Sequence, residues 1–255
     1  NAHMKDKILL FADESFWAGD KQAEGVLKSL ITEPFLVIEG KGDNAYKIKN
    51  HLHFIFATNN DWCVPAGPQE RRFFVLDVGE QHMQDIAYFS AIDKELDNGG
   101  TEALLHYLLN YQIEGTDLRK FPQTEALLEQ KVFSMTSIQK FWYSRLQAGS
   151  LSSTRSGWDM EIPKEWLYDE FIRFCNGIGV RHRASDSEFG TQLKKLVPGL
   201  TTGRSSAGRY GKSRKNTYRL PLLEECRDTF CKLVNFEIAW PSYEEAAVVE
   251  EQEAA

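Results

Sequence analysis

Two adjacent carboxylates close a short apolar run near the start of the chain. The run extends from Ile8 to Ala12, and Asp13 and Glu14 follow it directly. A short apolar run without alternation predicts a strand buried on both faces, as in a mainly parallel sheet. Acidic residues at the end of such a strand lie where open α/β sheets bind ligands. One carboxylate can hold Mg²⁺ while its neighbour orients or deprotonates a water; an acidic turn after an ordinary strand is the alternative.

Two further groups of polar residues border apolar runs. The run 54–57 is followed by Asn59 and Asn60, and the run 73–76 begins directly after Arg71 and Arg72. An amide at the end of a buried strand suits a sensor, because it can bond a terminal phosphate or the attacking water without adding charge. The spacing leaves both asparagines open for this role. A paired arginine at the start of a strand suits an arginine finger, which neutralises charge in a phosphoryl-transfer transition state.

A β-hairpin is predicted between the first two of these strands. Two strand-like segments, 35–39 and 45–49, flank a Gly-rich turn that carries Lys41 at its tip. Alternation divides the side chains of the second segment between two faces, with Lys47 and Lys49 on one and Tyr46 and Ile48 on the other.

The order of these motifs resembles the superfamily 3 helicases of viruses, phages and plasmids. It is most similar to the phage and prophage primase-helicases related to the poxvirus primase-helicase, and the similarity covers about residues 5–80. It implies an α/β fold with a P-loop NTPase sheet of the ASCE, AAA+-like type. It also implies a hexameric ring on single-stranded DNA and a phage or prophage protein in the cytoplasm of a bacterial host. Whether a primase domain lies upstream is left open.

The same resemblance implies a role for each matching residue. As in a Walker B motif, Asp13 would bind Mg²⁺ together with ATP, and Glu14 would activate water. The remaining roles fall to three groups: Asn59 or Asn60 as the sensor, Arg71 or Arg72 reaching the ATP of the neighbouring subunit, and Lys41 with Lys47 and Lys49 touching single-stranded DNA.

The chain departs from the family pattern in its phosphate-binding loop. Such a loop, GxxxxGK[ST], holds the phosphates through backbone N–H groups and its lysine. None precedes residue 5, and residues 1–4 have the composition of a cloning scar. The near match at 206–213 has Ser206 in place of the first glycine and leads into a strand-like segment. We therefore expect a C-terminal fragment that alone binds no ATP or Mg²⁺ tightly and hydrolyses none.

Composition excludes a membrane span and points to a local basic surface. Apolar residues make up 42% of the chain, and no run approaches the roughly 18 apolar positions that a membrane helix needs. The net charge is −7, yet residues 181–219 contain ten Lys or Arg against two acidic residues. Local clusters of charge govern where a polyanion docks, so nucleic acid remains a candidate partner.

The rest of the chain divides by pattern into four segments. Residues 81–148 form a helical extension, in which Gly99 and Gly100 end one helix and 125–146 forms another. The serine-rich stretch 149–157 is predicted to be a linker, and the acidic residues 236–255 a disordered tail. Between them, helices followed by a hairpin with a basic tip at 158–235 resemble a winged helix, which phage primase-helicases often carry at their C-terminus.

The winged-helix resemblance implies a set of basic DNA contacts. Lys194 and Lys195 would lie on the recognition helix, and the wing would carry Arg204, Arg209, Lys212, Arg214 and Lys215. Contacts from such side chains to duplex phosphates give affinity rather than sequence readout. A solvated loop, or docking on an acidic surface, is the alternative.

Two functions of different classes follow. In the first, the chain is the C-terminal part of a ring-forming, ATP-driven DNA helicase of phage or plasmid replication. In the second, it is a non-catalytic winged-helix DNA-binding module on a remnant of an ATPase fold. DNA-stimulated ATPase in the full-length protein separates the two.

Overall fold

The computed structural model describes most of the chain, in two compact units. The described residues are 2–13, 21–40 (without the side chains of 21–23), 44–117, 120 and 122–241. One unit comprises residues 1–73 and 128–255, and the other comprises residues 74–127. Glu14, Lys41 and residues 242–255 of the predicted tail lie outside the described residues.

Two small sheets form the N-terminal part of the first unit. Strand β1 (Leu9–Ala12) pairs in parallel with β4 (His53–Phe56). Strand β2 (Phe35–Ile38) pairs in antiparallel fashion with β3 (Tyr46–Lys49), so the strands of the predicted hairpin are confirmed. Helix α1 (Lys21–Thr32) lies between β1 and β2 in sequence. Because parallel strands need a long crossover, α1 and the hairpin together connect β1 to β4.

The expectation that β1 is buried on both faces is wrong. Leu9 is 56% exposed and Phe11 60%, and the side chains alternate between exposed and half-buried along both β1 and β4. An apolar run specifies strand propensity, but it does not specify which layers pack on each face. The hairpin differs, since Leu36 and Ile38 are buried in a small core with Leu52.

The strand predicted at 73–76 is also absent from the described structure. Phe73 is buried and has 6% of its surface exposed, whereas Phe74 and Leu76 are more than half exposed. The carbonyl of Val75 accepts a hydrogen bond from Thr124 Oγ1 at 2.6 Å, where a strand would use a ladder partner. The apolar run was sufficient to suggest a strand, but it did not supply a neighbour to pair with.

The second unit is built around two helices with exposed surfaces. Helix α2 (Ile86–Glu95) begins at Asp85, whose side chain accepts the N–H of Tyr88 at 3.0 Å. Helix α3 (Thr101–Asn110) follows a kinked segment in which Gly99 has φ of 95°. Gly99 therefore bends the helical path where the sequence predicted that the helix would end. Neither helix has a buried residue.

The C-terminal part of the first unit alternates helices with a three-stranded antiparallel sheet. Its elements are α4 (Glu125–Ser134), α5 (Ser137–Ala148), β5 (Glu161–Pro163), α6 (Lys164–Gly177), α7 (Asp186–Leu196), β6 (Thr201–Arg204), β7 (Asn216–Arg219) and α8 (Leu223–Val234). The strand order is β5-β7-β6, and the predicted β6–β7 hairpin is confirmed. Among the described residues, no helix combines the length and apolar character needed to cross a membrane.

The single helix predicted over 125–146 is instead two helices. Thr136 ends the interruption as the N-cap of α5, where its hydroxyl accepts the N–H of Gln139 at 3.3 Å. The Gln139 side chain accepts the N–H of Thr136 in return, at 3.0 Å. This reciprocal capping box stabilises a new helix start, which outweighs the continuous apolar pattern.

One aromatic core joins these helices and includes segments expected to be loose. The Phe171 ring stacks on Phe189 at 4.9 Å, and Phe141 packs edge-on against Phe171 at 5.6 Å. In the stretch predicted to be a linker, Leu151 is buried in this core. At the start of the predicted tail, Trp240 packs against Phe230 at 6.1 Å. Residues 236–241 are therefore packed, because their spaced apolar side chains fit the core despite the acidic residues that follow.

The buried thiol of Cys226 makes stability depend on alkaline pH. Burial raises the pKa of this thiol from 9.0 to about 12. In the unfolded chain the thiol ionises from about pH 9, so its contribution to stability is complete below pH 9. That contribution is lost as the pH rises towards 12, by up to about 1.4 kcal/mol per pH unit.

Replacing Cys226 by alanine is expected to flatten the fall of unfolding free energy between pH 8 and pH 10.5. Urea titrations at both pH values measure this slope, and Cys231→Ala, which removes a half-buried thiol on the same helix, is the matched control. Equal slopes in wild type and Cys226→Ala would contradict the assignment.

Candidate functional site

The parallel pairing of β1 and β4 brings the first acidic residue and the amides to one sheet edge. The N–H of Ala57 donates to the carbonyl of Ala12 at 3.0 Å, so Asp13 and Thr58 leave their strands at the same level. The carboxyl ends of parallel strands are the edge at which α/β sheets bind ligands. Asp13 is exposed there, and Glu14 lies outside the described residues.

Both candidate sensor amides follow β4 at this edge. Thr58 Oγ1 accepts hydrogen bonds from the backbone N–H and the Nδ2 of Asn60, each at 3.1 Å. This local turn restrains Asn60, and both Asn59 and Asn60 remain exposed. The structure therefore places both amides near the end of β4 without distinguishing which one would act.

Mg²⁺ usually keeps several waters and is bound through one or two carboxylates together with phosphate oxygens. Asp13, exposed at the sheet edge, fits that requirement as the protein ligand for Mg²⁺ bound with ATP. In the part of the chain that the structure describes, no group of three or more His, Cys, Asp or Glu side chains is arranged to hold a metal by itself.

The loop that follows the amides is held by helix α4. Gln130 has 4% of its surface exposed and bonds three backbone groups of this loop, while the hydroxyl of Ser134 accepts one backbone N–H and one side-chain N–H of the loop. The five groups are the carbonyl of Asp61 at 2.6 Å, the N–H groups of Cys63 at 2.8 Å and Val64 at 3.3 Å, and Trp62 Nε1 and the Ala66 N–H, both at 3.1 Å. The path of the chain from Asp61 to Ala66 is therefore fixed by side chains 66 to 72 positions away.

A buried carboxylate fixes the backbone of the arginine pair. Glu70 is 3% exposed, and its Oε1 accepts the N–H groups of Arg71 at 2.9 Å and Arg72 at 2.8 Å. The Arg72 guanidinium also donates to Oε1 at 3.2 Å. Charge-assisted bonds of this kind are stronger than neutral ones. Glu70 was not identified from the sequence as a residue of the site, because no local pattern indicates that this acidic residue is buried.

The hairpin displays Lys47 and Lys49 on its outer face. Lys47 lies opposite Val37 and Lys49 opposite Phe35, and Phe35 is 58% exposed. The other face carries Leu36 and Ile38 towards the small core, so the predicted division of faces is confirmed. Lys41, at the predicted tip, lies outside the described residues.

The predicted basic residues of the C-terminal part lie at three places. Lys194 and Lys195 are exposed in the last turn of α7, Arg204 ends β6, and the others belong to the loop 205–215. Two of the predicted cations form ion pairs that the sequence did not indicate. Arg209 pairs with Glu161 at 2.8 Å, and Lys215 pairs with Glu165. The near match to a phosphate-binding loop, at 206–213, leads into β7 and not into a helix.

Comparison with known proteins shows what this fold is similar to. Residues 1–72 match a family of unknown function (DUF5906). A search of curated protein sequences finds no match.

Solved structures with a similar fold include three apo structures of the C-terminal region of NrS-1. The A form gives a TM-score of 0.58 at 14% identity and covers 87% of this chain and 57% of that chain. The A form of residues 305–718 gives 0.57 at 15% identity, with 87% and 56% covered. A further structure of residues 305–718 gives 0.55 at 14% identity, with 87% and 57% covered. This chain therefore shares its fold with part of the NrS-1 C-terminal region and spans a little over half of its length.

Proposed function

We propose that this chain is the C-terminal part of an ATP-driven DNA helicase of the primase-helicase type, which acts as a hexameric ring in phage or plasmid replication. The observation that carries the proposal is the parallel pairing of β1 and β4, because it brings Asp13 and the amides of Asn59 and Asn60 to one sheet edge. The similarity in fold to part of the NrS-1 C-terminal region supports the arrangement of elements on which the proposal rests. The proposal requires a GxxxxGK[ST] loop upstream of Lys5 in the full-length protein.

In this proposal each residue at the sheet edge has one task. Bound ATP with Mg²⁺ supplies the phosphoryl group and the charge on which these residues act. Asp13 is the protein ligand for the metal ion, and Glu14 accepts the proton of the attacking water. Asn59 or Asn60 orients that water or the terminal phosphate. Arg71 or Arg72 reaches the site of the neighbouring subunit and neutralises charge that develops during transfer.

DNA contacts come from two surfaces of the chain. In this proposal, Lys41, Lys47 and Lys49 of the hairpin contact the backbone of single-stranded DNA in the ring. The element order from α5 to β7, with the three-stranded sheet β5-β7-β6, supports a winged helix whose recognition helix is α7. Its duplex contacts are Lys194 and Lys195 on the helix, with Arg204, Arg209, Lys212, Arg214 and Lys215 on the wing.

The decisive experiment measures ATP hydrolysis by the full-length protein with and without single-stranded DNA. We expect DNA to stimulate hydrolysis and Glu14→Gln to abolish it, while Glu33→Gln, at an exposed carboxylate outside the site, leaves it unchanged. DNA binding without hydrolysis in the wild type would favour the non-catalytic DNA-binding module. Measurable hydrolysis by the isolated chain would contradict the position proposed for the phosphate-binding loop.

A further inference from the structure

The C-terminal end of α8 is capped by residues from elsewhere in the first unit. The last four carbonyls of a helix have no partner within the helix. In α8 the carbonyl of Cys231 accepts the N–H of Phe236 at 3.1 Å. Gln69 Nε2 donates to the carbonyl of Leu233 at 2.6 Å and to that of Lys232 at 3.3 Å. The carbonyl of Val234 accepts from Lys131 Nζ at 2.6 Å.

The two side chains that complete this cap, Gln69 and Lys131, both neighbour Glu70 and not the arginine pair itself. Gln69 directly precedes Glu70, the buried carboxylate that holds the backbone of Arg71 and Arg72. Lys131 is fully buried, which lowers the pKa of its ammonium group, while the negative charge of Glu70 acts in the opposite direction. A buried ammonium is tolerated only where it finds a countercharge and a hydrogen-bond acceptor, and Glu70 and Val234 supply these.

We propose that Glu70 is the positioning residue of the arginine pair, and that Gln69 and Lys131 make its position depend on helix α8 and so on the DNA-binding part of the chain. A shift of the α8 terminus moves the carbonyls that accept hydrogen bonds from Gln69 and Lys131. We expect this movement to change the position of the Glu70 carboxylate. Through this linkage, DNA bound at α7 and the wing changes the position and orientation of Arg71 and Arg72 relative to the neighbouring ATP site. The dependence on DNA rests on the proposed function, whereas the positioning of the arginines by Glu70 rests on geometry alone.

Gln69 offers the sharpest variant because its side chain is exposed, so that replacing it does not disturb the core. Gln69→Glu keeps the size but replaces the donor with a carboxylate that the helix carbonyls and the α8 dipole repel. Gln69→Lys restores a donor, and its positive charge suits a helix C-terminus. If Gln69 couples DNA binding to the arginine pair, Gln69→Glu should lose the stimulation of kcat by DNA and Gln69→Lys should keep it.

In the full-length protein, we expect Gln69→Glu to lower the stimulation of kcat by DNA about three- to tenfold, the range expected for a lost hydrogen bond and its repulsive replacement. The Kd for DNA is expected to stay unchanged, and Gln69→Lys is expected to keep the stimulation. If Gln69→Glu leaves the stimulation intact, or lowers kcat equally with and without DNA, the coupling is refuted and only a structural tie remains.

A second measurement on the isolated chain tests the positioning of the arginines without any ATPase. We expect Glu70→Ala to speed backbone hydrogen exchange at Arg71 and Arg72 about tenfold or more, because both N–H groups lose their acceptor. Exchange at Cys63 and Val64, which Gln130 holds, reports whether the loop still folds. Unchanged exchange at the two arginines would overturn the positioning role. If the full-length protein has no ATPase activity, the proposed function and the coupling to DNA are both refuted. The hydrogen-exchange result for Arg71 and Arg72 would still hold.

Discussion

Replacing Arg71 by alanine is expected to lower the DNA-stimulated kcat of the full-length protein by about 10³-fold or more, the range measured for arginine fingers. The structure distinguishes the two arginines that the sequence left equivalent. Both residues are exposed, but Arg72 is anchored by its contact with the buried Glu70, at 3.2 Å, whereas Arg71 forms no ion pair with a described residue. We therefore expect Arg71, and not Arg72, to be the member of the pair that reaches the neighbouring subunit.

Steady-state ATPase assays of Arg71→Ala, Arg72→Ala and Arg71→Lys measure this difference. Lysine keeps the charge but loses the planar fork of donors, so that Arg71→Lys should recover little activity. Arg72→Ala should cost less than Arg71→Ala, because it removes the anchor and not the reaching group. A larger loss in Arg72→Ala than in Arg71→Ala would reverse the assignment within the pair.

Mixing inactive subunits tests whether the arginine acts between subunits. Glu14→Gln lacks the proposed base and Arg71→Ala lacks the finger, so each homogeneous ring is expected to be inactive. In a 1:1 mixture, roughly one interface in four combines an intact Glu14 with an intact Arg71 from its neighbour, as a heterologous ring requires. Activity should therefore return to about a quarter of the wild-type value. A mixture that stays inactive would mean that the arginine acts within its own subunit or not at all.

The parts of the site that the sequence predicted are those with a local signature. Apolar runs marked β1 and β4, and a Gly-rich turn between alternating residues marked the hairpin. Side chains that follow two parallel strands must meet at one edge, so the placement of Asp13 near Asn59 and Asn60 followed from the pairing. The capping box of Thr136 and Gln139 was also visible in the sequence, but the apolar pattern of 125–146 concealed it.

The residues that the sequence did not reveal depend on contacts distant along the chain. No local pattern marks Glu70 as buried, and one of its countercharges, the buried Lys131, lies some sixty positions away. Gln69 has no local signal at all, because its acceptors are the terminal carbonyls of a helix more than 160 positions later. Spacing along the sequence cannot specify such contacts, since they follow from how separate elements pack.

DNA affinity of the C-terminal part is expected to fall about 500-fold when salt rises from 50 to 200 mM, if five phosphates are contacted at a slope of about −0.9 each. Five of the predicted cations are exposed and form no ion pair with a described residue: Lys194, Lys195, Arg204, Lys212 and Arg214. Arg209 and Lys215 must first leave Glu161 and Glu165, so they add less. Fluorescence anisotropy of a short duplex across this salt range gives the slope directly.

Removing two wing charges together, with Lys212→Ala and Arg214→Ala, should then reduce the magnitude of the slope by about 1.8 and weaken binding at low salt. The matched control removes two exposed lysines of the second unit, Lys94 and Lys120, and changes the net charge of the chain by the same amount. Because counterion release depends on which phosphates are neutralised and not on net charge, the control should leave the slope unchanged. Equal changes in both double variants would show that the loop 205–215 has no specific part in DNA binding. If the affinity of the wild type does not change with salt, phosphate contacts from this loop and α7 are excluded.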